Sequence, residues 1–209
     1  MTKIISFISR KGGTGKTTVA MNLATMLFNL GHKLAMLETD TNYTLNTLRQ
    51  MEVYKSGAKD ESLFKILGST DQKVIDDLEK LRKENKLDFI LVDSAGKTTD
   101  SNIKKLCIES DLVVIPTSLT QNDLLVTYQT VEDIKPAQEI NNKLKIAILA
   151  NRIHSSTKQN TIESALDELK VTILNEYIPM KNIFANFSTI LPEKQFLPVS
   201  KAILSTLEK

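Results

Sequence analysis

The sequence predicts an α/β fold, a doubly wound and mostly parallel sheet with helices on both faces. Two patterns point to it. Short apolar runs alternate with longer helical segments along the chain, and the runs are apolar at successive positions, as strands covered on both faces must be. A glycine-rich stretch, Ser9-Arg10-Lys11-Gly12-Gly13-Thr14-Gly15-Lys16-Thr17-Thr18, also lies directly between the first run and the first helix.

The strands are expected at Ile4–Ser9, Leu34–Glu38, Phe89–Asp93, Leu112–Pro116, Lys145–Asn151 and Val171–Ile173. Helices are expected near Lys16–Leu30, where Gly31 supplies the stop, and at Lys73–Glu84, Asp123–Lys135 and Thr161–Leu169. Right-handed crossovers between parallel strands place functional loops at the carboxyl edge of the sheet. Ser56–Asp60 reads as the most loop-like interior segment. No repeat or composition shift marks a boundary, so residues 1–209 are expected to form a single domain.

The glycine-rich stretch has the chemistry of a phosphate cradle. Glycines 12, 13 and 15 let the backbone turn its N–H groups inward without a Cβ clash. Lys16 can bridge the β- and γ-phosphate oxygens, the Thr17 hydroxyl can ligate Mg²⁺, and Thr18 lies in the first turn of the helix that starts near Lys16, whose N-terminus favours an anion. In the usual spacing the first glycine would occupy position 10. Arg10 stands there instead, followed by a second lysine, Lys11.

The run K-G-G-T-G-K-T-T resembles the deviant phosphate loop of the ParA/MinD family of dimerising ATPases, with a P-loop NTPase-like fold. The resemblance extends over 1–151 and weakly beyond. It implies ATP and Mg²⁺ as cofactors and a homodimer with ATP sandwiched between subunits. It also implies that Lys11 reaches the partner subunit's nucleotide.

Asp93 ends the run Phe89-Ile90-Leu91-Val92-Asp93, the form of a strand that presents a carboxylate to Mg²⁺; capping of the next turn is the alternative. Gly96 follows and could sense the γ-phosphate through its N–H. Asp40 falls where the family's switch segment, D-x-D-P-Q, carries the aspartate that orients the attacking water and lies near the metal. Glu38, Thr41 and Asn42 replace three of the other residues of that segment, and a helix N-cap is the alternative for Asp40. Val114-Ile115-Pro116-Thr117 and Asn122-Asp123-Leu124 resemble the family's next loop. Asn151, in Ala150-Asn151-Arg152, matches the segment that meets adenine, although a loop asparagine has other uses.

Composition narrows the choice within the family. A net charge of +2 leaves any DNA contact to a local patch, and 41% hydrophobic with 25% charged residues is ordinary for a soluble globule. One cysteine, Cys107, excludes an iron–sulfur protein of the nitrogenase type and fits a cytoplasmic location. No apolar run reaches the ~18 residues of a membrane span. The stripe Ile203, Leu204 and Leu207 reads as a helix docked on the core rather than a membrane anchor, so no membrane partner is expected. With the phosphate loop starting at residue 10, no N-terminal helix-turn-helix domain is expected.

The resemblance is therefore to the small partition ATPases. It implies a nucleoid-associated switch with a ParB-like DNA-binding partner and non-specific DNA contacts through Lys181, with Lys158 and Lys194 as further candidates. Lys181 is equally readable as a solvated surface residue, and Lys158 and Lys194 are the weaker candidates. A MinD-like membrane-associated positioning ATPase, or a carboxylate-activating ligase of the dethiobiotin synthetase type, is the alternative function.

Overall fold

The computed structural model describes residues 2–40, 44–70, 72–84, 86–95 and 100–208. Strand β1 (Lys3–Phe7) enters the phosphate loop, and α1 (Lys16–Asn29) leaves it. Then follow β2 (Leu34–Glu38), α2 (Thr44–Ser56), β3 (Lys65–Gly68), α3 (Val74–Glu84), β4 (Phe89–Asp93) and α4 (Asp100–Glu109). The second half adds β5 (Leu112–Thr117), α5 (Gln121–Ile140), β6 (Lys145–Ile153), α6 (Gln159–Leu166), β7 (Thr172–Ile173), β8 (Ile178–Pro179), α7 (Asn182–Ala185) and α8 (Leu197–Glu208).

The strand order is β3-β2-β4-β1-β5-β6-β7, with β8 also pairing β6, and every pairing is parallel. The chain winds outward from β1 to β2 and β3, returns to β4, and then winds the other way through β5, β6 and β7. The reversal opens a crevice at the carboxyl ends of β4, β1 and β5, where ligands bind in folds of this class.

Strand alternation divides the apolar residues between two layers. Ile5 and Phe7 face α1 and α8, while Ile4 and the adjoining Ile8 join residues of α3, α4, α5 and α6. Both faces are covered, which is why these strands carry no polar alternation. Cys107 is buried in α4 and packs in the second layer; burial pushes its thiol up to about 12. The stripe on α8 is used in the core: Ile203 is fully buried, and Leu204 and Leu207 pack against the first layer. No helix among the described residues is long and apolar enough to cross a membrane.

All six expected strands are present, Leu34–Glu38 and Phe89–Asp93 with the expected bounds and the others with ends shifted by at most two residues. Several elements differ from expectation, the short helix α7 among them. Residues 44–56, adjoining the expected loop at Ser56–Asp60, form α2, and β3 joins the sheet beyond β2. At the other end β8 is a two-residue addition to β6, and α5 continues through Pro136 to Ile140.

Candidate nucleotide site

Ile8 and Ser9 continue β1 into the loop, which is capped by glycines in left-handed backbone: Gly13 at φ 79 and Gly15 at φ 100. Gly15 is the N-cap of α1. A Cβ on Gly15 would collide with the Asn151 amide, so both its backbone and its surroundings demand glycine. Gly12 differs from expectation, because its φ is not left-handed and a Cβ there would meet open space.

Lys16 is buried, and its ammonium donates to the Lys11 carbonyl at 3.3 Å across the loop. Desolvation lowers its pKa, against the raising influence of Asp93 and Asp40. The Thr17 hydroxyl donates to Asp93 Oδ2 at 2.6 Å. Asp93 sits in register with Phe7 on one side and Glu38 on the other, so three strand ends meet there.

Asp93 is 3% exposed, and burial pushes its carboxyl up to about 7. The Thr17 hydrogen bond and Lys16 oppose that shift, while Glu38 and Asp40 add to it. Two buried oxygens here have no protein hydrogen-bond partner, Asp93 Oδ1 and Thr14 Oγ1. An unsatisfied Asp93 oxygen beside a buried lysine and a threonine hydroxyl suits a phosphate-bound cation, so the residues present fit Mg²⁺ with a nucleotide.

Asp40 lies on the exposed rim near enough to act electrostatically on both Lys16 and Asp93. Glu38 caps the helix that follows. It is buried, and its two carboxylate oxygens accept from the Leu45 N–H at 3.2 and 3.3 Å, capping the start of α2. Desolvation raises its pKa, Asp40 contributes in the same direction, and the α2 backbone donors oppose them. Thr41, Asn42 and Gly96 lie outside the described residues.

Helix α5 holds both basic residues that precede the glycines. Arg10 Nε pairs with Asp133 at 3.0 Å, and Lys11 Nζ pairs with Asp123 Oδ1 at 2.6 Å. Asp123 is itself braced: Ser118 Oγ donates to its other oxygen at 2.6 Å, and its N–H donates to Thr120 Oγ1, the helix N-cap. Its pKa is lowered: desolvation, the largest single influence, raises it, but the Lys11 and Ser118 hydrogen bonds and the Lys11 charge together outweigh it. As the Lys11 partner, Asp123 was not anticipated from sequence. The legible signal was Thr120-Gln121-Asn122-Asp123, a threonine cap with an acid three residues on.

Asn151 is buried at the end of β6, and its Nδ2 donates to the Thr14 carbonyl at 2.9 Å. It also lines a hollow of about 230 Å³ with Thr18, Arg152, Pro179, Met180 and Phe184, directly beside the loop. Among the candidate DNA lysines, all three are exposed. Lys181 donates to Gln195 Oε1 at 2.9 Å, which brings it beside Lys194; Lys158 stands apart as the N-cap of α6.

The sequence profile of the VirC1 protein family matches residues 2–203. The chain belongs to that family. Over 175 residues it is 27% identical to protein virC1 of Rhizobium radiobacter, covering 81% of this chain and 74% of that protein. Over 177 residues it is 27% identical to the maintenance of carboxysome distribution protein A of Halothiobacillus neapolitanus, covering 84% of this chain and 79% of that one.

Among solved structures, the septum site-determining protein MinD of Pyrococcus horikoshii, complexed with Mg-ADP, superposes with a TM-score of 0.64 at 24% identity. The match covers 100% of this chain and 94% of that one. A plasmid partition protein of Borrelia burgdorferi gives 0.68 at 19%, covering 97% and 98%. The ParA/MinD resemblance first visible in the phosphate loop thus holds across the fold.

Proposed function

We propose that this VirC1-family chain is an ATPase that works as a nucleotide-timed dimerisation switch, one domain over 1–209. As an ATP dimer it binds DNA without sequence preference and so positions DNA or another cargo. The observation that carries the reading is the Thr17–Asp93 hydrogen bond beside buried Lys16, with orphaned oxygens on Asp93 and Thr14.

The chain's own residues divide the work. The amides of Gly12, Gly13, Thr14 and Gly15 and the Lys16 ammonium hold the phosphates, and Thr18 borders the hollow suited to the base. Thr17 and Asp93 would hold Mg²⁺, with Asp40 at the rim; the ion would offset charge developing on the phosphoryl oxygens. Asp40 positions the attacking water.

Lys11 crosses to the partner subunit's nucleotide, as an arginine finger does. For that it must leave Asp123. The lysine is 44% exposed in that pair and its carboxylate partner 14%, so the ammonium is open to a competing set of phosphate oxygens. The lysine also favours this reading over the ligase alternative, a class that generally lacks its equivalent. A ParB-like protein would accelerate hydrolysis at the nucleoid.

Retention of random-sequence duplex DNA on filters tests the output. Retention appears with ATP and disappears with ADP. It falls steeply with salt, because each phosphate contact adds about 0.9 to the slope of log K against log salt and a dimer doubles the contacts. Nucleotide-independent retention would contradict the switch. Lys181→Ala weakens binding uniformly across sequences; if it has no effect, Lys181 is not in the patch.

A further inference from the structure

Among the described residues, Arg152 and Lys170 alone hold a positive φ without being glycine. Lys170 closes the 3-10 turn after α6, where the chain reverses. Arg152 lies within β6 at φ 57, at the irregularity where the pairing to β8 slips between Asn151 and Ile153. Left-handed backbone in a strand is unfavourable for a residue with a side chain and persists only where its surroundings hold it.

The bulge re-aims the side chain. The Arg152 guanidinium, although exposed, donates to the Gly13 carbonyl at 2.9 Å, and the preceding Asn151 donates to the Thr14 carbonyl at the same distance. Two consecutive residues of β6 therefore hold two consecutive carbonyls of the phosphate loop. In a planar trans peptide the carbonyl and the following N–H point in opposite directions. Pinning these two carbonyls to β6 turns the N–H groups of Thr14 and Gly15 away from it.

We propose that Arg152 is a positioning residue: its strained backbone aims the guanidinium at Gly13, and that hydrogen bond presets the loop amides for the nucleotide's phosphates. The proposal rests on the phosphate-loop reading above. It predicts opposite effects on stability and affinity when the strain is removed.

The test is titration of the full chain with fluorescent ATP and ADP, together with urea unfolding without nucleotide, for the wild type, Arg152→Gly and Arg152→Lys. Arg152→Gly should weaken ATP and ADP by the same factor, about tenfold for one charged donor. Its nucleotide-free unfolding midpoint should equal or exceed that of the wild type. Arg152→Lys, which restores a donor, should recover part of the affinity without a gain in midpoint.

Unchanged affinity in Arg152→Gly would overturn the proposal. So would a parallel loss of affinity and stability, which marks a merely structural residue, or a loss confined to ATP, which marks a γ-phosphate contact. A wild-type chain that binds neither nucleotide would remove the phosphate-loop reading itself, and the proposal with it.

Discussion

Burial holds the Asp93 carboxyl at about 7 against its ordinary 3.8, so the nucleotide-free protein keeps a proton there that the unfolded chain has released. A raised carboxyl pKa stabilises the folded state fully below the unfolded value, and that contribution is lost as pH rises through the folded one. Wild-type stability should therefore carry a component that declines between about pH 4 and 7, and Asp93→Asn should remove it. Urea midpoints at pH 5 and 8 for the two proteins measure the difference; equal slopes would contradict the buried, proton-holding carboxyl. The water-positioning role proposed for Asp40, on the exposed rim, is separable. Asp40→Ala should retain Mg-ATP while phosphate release falls by roughly two to four orders of magnitude, the range for a catalytic group that manages a proton or water. Turnover at the wild-type rate would place the water elsewhere.

At the scale of elements, α2 is fastened by polar groups rather than by an apolar face. Buried Arg49 donates to the Phe64 carbonyl at 3.0 Å and to the Thr189 carbonyl at 2.7 Å, and it stacks on the Phe64 ring at 4.6 Å. Glu52 accepts from the Thr189 N–H at 2.6 Å, so the helix that Glu38 caps is bolted to the segment before α8. Arg49→Ala strands two buried carbonyls and should cost about 3 kcal/mol in urea unfolding, with nucleotide affinity per folded molecule little changed. A cost under about 0.5 kcal/mol would show that the fastening is incidental.

The same polar fastening explains why α2 was not legible in the sequence. In Thr44–Ser56 only Leu45 and Arg49 are buried, so no apolar stripe marks a helix. Strand β3 is an edge strand of four residues with Ile66 as its one buried side chain, too little for a periodic signal. The central strands were legible because both their faces are apolar, and the phosphate loop because its glycines and lysine have fixed spacing. Asp93 was legible as the carboxylate ending an apolar run. The Lys11–Asp123 pair and the Arg152–Gly13 contact join residues more than a hundred positions apart; the Thr120–Asp123 cap marks a helix start but not its partner, and no local pattern marks the Arg152 contact.

Over the whole molecule, the central crevice brings the ends of β1, β2 and β4 to one point, with the Lys11 ammonium at its edge paired to Asp123. The central claim is that the nucleotide completes an interface that Lys11 enters from the other subunit. Light scattering of wild type and Lys11→Ala, each saturated with Mg²⁺ and either ADP or a slowly hydrolysed ATP analogue, tests it most directly. The wild-type mass should double with the analogue and stay monomeric with ADP. Lys11→Ala should bind the analogue and remain monomeric. A Lys11→Ala protein that doubles its mass as the wild type does, or a wild type whose mass ignores the nucleotide, would contradict the account.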